Sequence, residues 1–319
     1  MPETVAAVVV TFNRSRLLLE CLHALLNQTR PIDRIILIDN ASTDGTVDIL
    51  RSHGYLDHPV IDFLRLPKNT GGAGGFHEGV KRAMATHVDW MWIMDDDAEP
   101  LLDALEKMTP AFARRGIGGV ANLTLGPDGR PDLQHRGWLR VCGMTPRAHR
   151  PIDASMLEKE MEITFASFVG LAVHRSAVAQ IGLPKRELFI KGDDLEYCIR
   201  LAKLGPIILV CDSKIRHKEG VTADFQARRR FGLSSARVPL EKLWLSYFPV
   251  RNLIWMRREH CGSLPALMFS LRQFLRMSLG ILVFDSQRYA RLRFFSCAIL
   301  DAWRGSFDND RPKKLTAVR

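Results

Sequence analysis

Long uninterrupted apolar runs are missing from this 319-residue sequence. No window reaches the ~18–20 consecutive apolar residues that a bilayer span needs, so no membrane crossing is expected. The N-terminus runs directly into VAAVVVTF, too short for a signal peptide and without a basic leader, and is read as a first strand. Cysteine is sparse and scattered: Cys21, Cys142, Cys198, Cys211, Cys261 and Cys297 form no CxxC pair and no zinc-finger spacing. That excludes a zinc module and leads to the expectation of reduced thiols in a cytosolic protein. Internal repeats and low-complexity segments are absent. So are GxGxxG and GxxxxGK[ST], which disfavours the two commonest nucleotide-binding folds.

What is present is the composition of an ordinary globular protein, 46% hydrophobic and 25% charged, with a net charge of +10. The charge is unevenly placed. Residues 1–224 carry 27 basic against 29 acidic side chains, whereas residues 225–319 carry 18 against 6. A near-neutral body is therefore followed by a strongly basic region, which calls for an anionic partner.

The body alternates strand and helix. Val5–Thr11, RIILID at 34–39, Val60–Leu66 and Trp90–Met94 read as strands. Helical patterns run from about Ser15 to Asn27, from the ASTDGT turn to about Ser52, and from Phe76 to Ala85. Four alternations in about a hundred residues predict an α/β fold, a mostly parallel sheet flanked by helices. Ligands of such sheets bind beyond the carboxyl ends of the strands. Phe12–Arg14, Asp39-Asn40, Lys68-Asn69 and Asp95–Asp97 each follow a strand and are expected on one rim. Further on, FASFVGLAVH at 165–174 reads as one buried strand with Gly170 at a tight approach. A helix is expected from Asp193 to Lys203, a strand over Pro206–Asp212, and mostly helix over 240–305.

Each polar cluster has a purely structural reading beside a functional one. KNTGGAGGF is a flexible turn, or a helix N-terminus that receives a phosphate. Asp39 helps cap a helix, or accepts hydrogen bonds from a base or ribose. The triplet in MDDDAEP is a solvated loop, or a carboxylate set for a hard cation such as Mg²⁺ or Mn²⁺ that shares its ligands with a diphosphate. Asp193 and Asp194 open a predicted helix, where acids favour the dipole. Two adjacent acids exceed what a cap requires, and one near other carboxylates has its pKa raised towards general-base work.

The ordered set VVVTFNR, LIDNASTDGT, KNTGGAGGF, MDDDAEP, FIKGDDLEYCIR, a histidine after a strand, and YFPVRN at 247–252 resembles the inverting glycosyltransferases of family 2. Within them it is most similar to the bacterial galactofuranosyltransferase and rhamnosyltransferase branch. The resemblance implies a GT-A nucleotide-diphospho-sugar transferase fold. It places Thr11, Asn13 and Asp39 around the base, Lys68, Asn69 and Gly71 near ribose and phosphate, Asp95 at the ribose, and Asp97 with His217 on a Mn²⁺ or Mg²⁺ ion. Arg14 and Asp96 complete the donor side. Asp194 is implied as the base, with Asp193 orienting it or bonding sugar hydroxyls. Gly192 stands where that branch often has an aromatic residue, and QxxRW of the polymer-forming synthases is absent.

On this reading residues 1–235 form the catalytic domain, with a donor half to about 117 and an acceptor half from 118. Residues 236–319 form a basic helical region. Galactofuranose from a UDP donor is the expected sugar, with dTDP-rhamnose the rival donor and a cell-surface glycan, often lipid-linked in this branch, the acceptor. A non-catalytic nucleotide-sugar-binding or scaffold protein is the rival of another class. A nucleotidyltransferase is disfavoured because TFNRSR replaces its Gly-rich activating loop. In the basic region, Leu264, Leu267, Met268, Leu271, Phe274, Leu275, Leu279 and Leu282 recur at helical spacing, accompanied by Arg272, Arg276, Arg288, Arg291 and Arg293. Such a stripe packs on a core, or meets an anionic membrane surface, which would place the protein peripherally on the inner face. No nucleic-acid motif accompanies the charge.

Overall fold

Residues 3–143, 145, 148–218, 226–230 and 232–317 are described by a computed structural model. Residues 219–225, at the end of the stretch expected to frame an acceptor, lie outside the described residues. The chain forms two compact units: Met1–Leu139, His149–Arg186 and Asp193–Gly220 make the first, and Arg140–Ala148, Glu187–Gly192 and Val221–Arg319 the second. The second unit is thus drawn from three stretches of sequence.

The first unit begins with β1 (Val5–Thr11), α1 (Ser15–Leu26), β2 (Arg34–Asp39), α2 (Thr46–Ser52), β3 (Ile61–Arg65), α3 (Gly71–Met84) and β4 (Trp90–Asp95). There follow β5 (Ala98–Pro100), α4 (Ala104–Phe112), β6 (Gly119–Leu125), β7 (Arg136–Leu139), β8 (His149–Pro151), β9 (Glu160–Ile163), β10 (Phe165–Ala166), β11 (Val169–His174), α5 (Arg175–Ile181), α6 (Asp193–Leu201) and β12 (Ile207–His217). The main sheet has the order β3-β2-β1-β4-β11-β6-β12-β5, with β9 also on β12. Strands β1 to β4 are mutually parallel, as the alternation predicts. Beyond β4 the sheet turns mixed, because β11 runs antiparallel to both β4 and β6.

Strand β1 is buried along its whole length, so both its faces need cover. Val5, Ala7 and Val9 share a core with Leu18, Leu22 and Leu25, which lie on one stripe of α1. On the opposite face Val8 and Val10 meet α3. A Cβ on Gly75 would come within 2.4 Å of Val10, and one on Gly79 within 2.4 Å of Val8. These glycines let a helix backbone lie close on the sheet.

Three local expectations are revised. The Gly-rich stretch is not a loop before a helix at Phe76, since α3 already begins at Gly71. FASFVGLAVH is divided: β10 pairs with β7, while β11 joins the main sheet and shifts register between Val169 and Leu171. The strand expected to end at Asp212 continues as β12 to His217, with an irregularity between Val210 and Lys214.

The second unit holds a hairpin of β13 (Gln226–Arg230) and β14 (Leu233–Arg237), then α7 (Tyr247–Cys261), α8 (Ser263–Phe284), α9 (Arg288–Arg304) and α10 (Arg311–Thr316). The expectation of free thiols fails at one pair, as Cys142 and Cys261 form a disulfide with Cα atoms 5.4 Å apart. Folding brings the loop at 140–148 to the end of α7, where Arg257 also donates to the Thr145 carbonyl at 2.7 Å. The two cysteines are 119 residues apart, so their spacing carried no signal.

Gly170 sits at the register shift with φ +85°, and an added Cβ would lie 2.5 Å from Asn122 Oδ1. That oxygen accepts the Trp92 indole N–H at 2.8 Å inside the core. Gly170→Ala is expected to combine about 1–2 kcal/mol of left-handed backbone strain with about 1–3 kcal/mol from the disturbed buried hydrogen bond. The measurement is the urea midpoint at unchanged slope. Gly129→Ala, at φ +77° with nothing within 4 Å of the new Cβ, isolates the backbone part.

Candidate active site

The carboxyl ends of the parallel strands set the site. Register places Thr11 beside Asp39 and Val10 beside Asp95, so β1, β2 and β4 end together. Asp39 is fully buried, with Oδ1 accepting from the Ser42 amide at 2.9 Å. Its Oδ2 makes no hydrogen bond, although Arg65 Nε lies 3.3 Å away. Asn13, at φ 54°, accepts from the Thr43 amide at 2.7 Å and donates its own amide to Ser42 Oγ, joining the loops after β1 and β2.

Asn40, beside Asp39, joins a third loop. Its side-chain amide donates to Asn69 Oδ1 at 3.1 Å and to the Gly71 carbonyl at 2.9 Å. Its Oδ1 accepts from the Thr70 amide at 2.9 Å. Asn69 and Gly71 are thus tied to the end of β2, while Lys68 next to them is exposed. Close packing accounts for Gly75 and Gly79, and Gly74 would place a Cβ 2.3 Å from Thr70 Oγ1.

The triplet is divided by its surroundings. Asp95 ends β4 partly exposed, whereas Asp96 and Asp97 are buried. The Thr11 hydroxyl donates to Asp96 Oδ2 at 2.7 Å, and Arg14 Nη1 donates to Asp97 Oδ2 at 2.8 Å and Asp96 Oδ1 at 3.4 Å. Strand β5, only three residues long, runs antiparallel to the end of β12 and sets Ala98 opposite His217. That pairing carries the imidazole to the triplet, with His217 Nε2 3.3 Å from Asp97 Oδ1.

Burial first, and then the charges of Asp97, Asp96 and Asp193, push the Asp95 carboxyl well above its ordinary range. Burial likewise raises Asp96 to about 6, against the bonds from Thr11 and the charge of Arg14. Burial opposes the charge of Arg14, but Asp96, Asp97 and Asp95 outweigh it and raise its pKa. Such a cluster gains from another cation. Ligand atoms of Asp95, Asp97 and His217 all lie within 4.8 Å of one another. Asp97 Oδ1 is buried without a hydrogen-bond partner, so an acceptor is held ready among two carboxylates and an imidazole. This donor set fits a divalent metal.

Asp193 and Asp194 occupy the first turn of α6. Asp193 is buried and its charge reaches Asp95. Asp194 is more accessible, accepts from the Leu195 amide at 2.7 Å, and its field reaches Arg136. The segment leading into them is held within the second unit. The Asn252 side-chain amide donates to the carbonyls of Leu188, Ile190 and Lys191 at 3.0, 3.2 and 2.8 Å. Buried Arg251 donates to Leu188 at 3.2 Å. Phe189 and Lys191 both sit at positive φ, 65° and 67°, a costly backbone that the Asn252 bonds hold in place.

All thirteen residues expected at the site lie in the first unit. Two partners were missed. Asn40 was visible only as the neighbour of Asp39. His135 lies in an irregular stretch, yet its ring stands edge-on to His217 at 4.8 Å and its Nδ1 lies 2.9 Å from Ser167 Oγ. Burial, and then the charges of His217 and Arg136, lower its pKa to about 4.

The family model described as "Glycosyl transferase family 2" matches residues 6–182. Galactofuranosyltransferase GlfT1 of Mycolicibacterium smegmatis is 30% identical over 64% of this chain and 67% of its own length. GlfT1 of Mycobacterium tuberculosis is 32% identical over 64% of this chain and 66% of its own. A crystal structure of GalNAc-T7 with UDP, GalNAc and Mn²⁺ superposes with a TM-score of 0.62 at 14% identity, covering 98% of this chain and 58% of that one. A likeness at that identity speaks for the fold alone, here GT-A. With the family model matching more than half of the chain and the rim assembled as described, the protein belongs to glycosyl transferase family 2 and is a glycosyltransferase.

Proposed function

We propose that this protein is a metal-dependent, inverting galactofuranosyltransferase that takes its sugar from UDP-galactofuranose and adds it to a cell-surface glycan. The observation that carries the reading is the grouping of Asp95, Asp97 and His217, with the charge of Asp193 reaching the same carboxylates. The galactofuranosyltransferase names of the relatives support the sugar. The UDP and Mn²⁺ of the fold neighbour support the nucleotide and metal.

Asp97 and His217 would hold Mn²⁺ or Mg²⁺ with Asp95, and the ion, when bound, supplies positive charge against the leaving diphosphate. Asp39, Asn13 and Thr11 border the base. Asn69, Gly71 and Lys68 border ribose and phosphate. Asp194, the accessible member of its pair, takes the proton of an acceptor hydroxyl as that oxygen attacks the anomeric carbon opposite the diphosphate. The bond to the diphosphate breaks as the new glycosidic bond forms, and the configuration inverts. Asp193 positions this base. The basic second unit meets an anionic membrane surface through α8, which puts the enzyme peripherally on the inner face beside lipid-linked acceptors. Among the described residues α8 is the one helix long and apolar enough to cross a membrane by length and composition. Arg272 and Arg276 interrupt its apolar run, and for that reason no continuous span is evident in the sequence.

UDP release from UDP-galactofuranose should exceed dTDP release from dTDP-rhamnose and require Mn²⁺ or Mg²⁺; the reverse preference would reassign the donor. Asp194→Asn is expected to lower turnover by about 10²–10⁴-fold, the range of general-base catalysis, with donor affinity nearly unchanged. Ordinary turnover in that variant sinks the assignment. Arg14→Gln removes the cation beside Asp96 and Asp97 and should destabilise the metal-free protein by about 1–3 kcal/mol. Saturating Mn²⁺ should close much of that gap, and thermal melting with and without the ion checks it. Asn252→Ala frees the strained Phe189–Lys191 segment, so kcat should fall more than donor affinity; equal losses in both would contradict a positioning role.

A further inference from the structure

A cavity of about 680 Å³ opens in the second unit, and none of its lining residues belongs to the carboxylate rim. Arg228, Arg229 and Arg230 of β13 line it with Arg288 at the start of α9 and the residues that link α8 to α9. Arg228 and Arg230 are anchored by the last carbonyls of α8, donating to Phe284 at 3.3 Å and Val283 at 3.0 Å. These carbonyls have no partner within the helix, so the guanidinium groups are held in place as they satisfy them.

Four arginines thus face one space, and the acid in the lining does not neutralise them. Asp285 is committed to Arg237, whose Nε donates to Oδ2 at 2.9 Å, and to Arg291, 3.8 Å from Oδ1. Burial first lowers the Arg291 pKa; Asp285 and, less, Glu241 oppose this, and the charges of Arg237 and Arg228 add to it. Among the described lining residues four arginines therefore stand against a single acid. Helix α9 also begins here with Gln287 at its N-cap and no side chain capping it, so its first N–H groups add to the anion-binding character.

The cavity stands at the end of an apolar track. Leu264, Leu271, Leu275, Leu279 and Leu282 of α8 are between 50 and 68% exposed. They recur every three to seven residues along one face, opposite buried Ala266, Phe269, Ser270 and Ile281. Patches of this kind on a protein mark an interaction surface. A free inorganic anion would use the arginines and leave the track unexplained. A phospholipid uses both.

We infer that the cavity binds the phosphate headgroup of an anionic membrane phospholipid whose acyl chains lie along α8. The inference rests on the peripheral-membrane reading above and adds a discrete headgroup site to it. The full-length protein is tested in two ways: flotation with phosphatidylcholine vesicles with or without phosphatidylglycerol, and titration with water-soluble dihexanoyl phosphatidylglycerol. Arg228→Gln/Arg229→Gln should weaken the soluble lipid by about ten-fold or more, as expected for loss of two charge-assisted contacts. The charge-matched Arg115→Gln/Lys203→Gln control, on exposed residues of the first unit, should not. Leu271→Glu/Leu275→Glu should lose flotation and keep the soluble lipid. Unchanged melting shows that each variant folds. Wild-type affinity in the arginine pair overturns the site, and so does displacement of the lipid by inorganic phosphate at equal concentration. A wild-type protein that binds the soluble lipid but never floats removes the membrane reading and leaves the headgroup site standing.

Discussion

Three consecutive carboxylates at the end of a buried strand repel one another, and their surroundings are arranged to offset that repulsion. Water is largely excluded from Asp96 and Asp97, so solvent does little to screen them. Arg14 supplies one positive charge, and the Thr11 hydroxyl satisfies one oxygen of Asp96. Asp97 Oδ1 is left over, buried and facing His217. The short pairing of β5 with β12 matters for this reason: a shift of one residue there would send the imidazole to the other face of the strand.

Much of this was legible because it is local. RIILID is a strand over the residues read from its pattern, and the polar residues after β1, β2 and β4 do share a rim. Asp97 and His217 could be named from motif order. What the sequence hid is non-local. The resemblance implies Asp95 at a ribose, and its grouping with Asp97 and His217 is not legible because it depends on how β5 turns back against a strand more than a hundred residues on. His135 has no motif around it and matters only through the ring it touches. FASFVGLAVH is divided by pairing with two distant strands, β7 and β4, and Gly170 at the register shift lies against Asn122, which no local pattern reveals.

The Gly-rich stretch shows how one sequence signal can have two causes. Glycine beside a predicted phosphate site invites a phosphate explanation. Here Gly75 and Gly79 are one helical turn apart and each faces a valine of β1, which is what close helix–sheet packing demands. The polar work at that loop falls instead to Asn40 and Asn69, whose amides fix its backbone.

The basic C-terminal region carries the same lesson for charge. A net count treats every arginine as surface charge, yet Arg251, Arg257 and Arg291 are buried. Arg251 donates to the carbonyls before Asp193, Arg257 stacks 3.4 Å from the Phe269 ring centre, and Arg291 donates to Val238. Burial lowers Arg251 and Arg257 each to about 10, which still leaves them charged at neutral pH. These three cations are structural. Among the exposed cations, Arg272 and Arg276 stand beside the apolar track of α8 and Arg229, Arg230 and Arg288 at its end. Charge placed along an apolar helix face and gathered at its terminus has a direction that a total of +10 does not reveal.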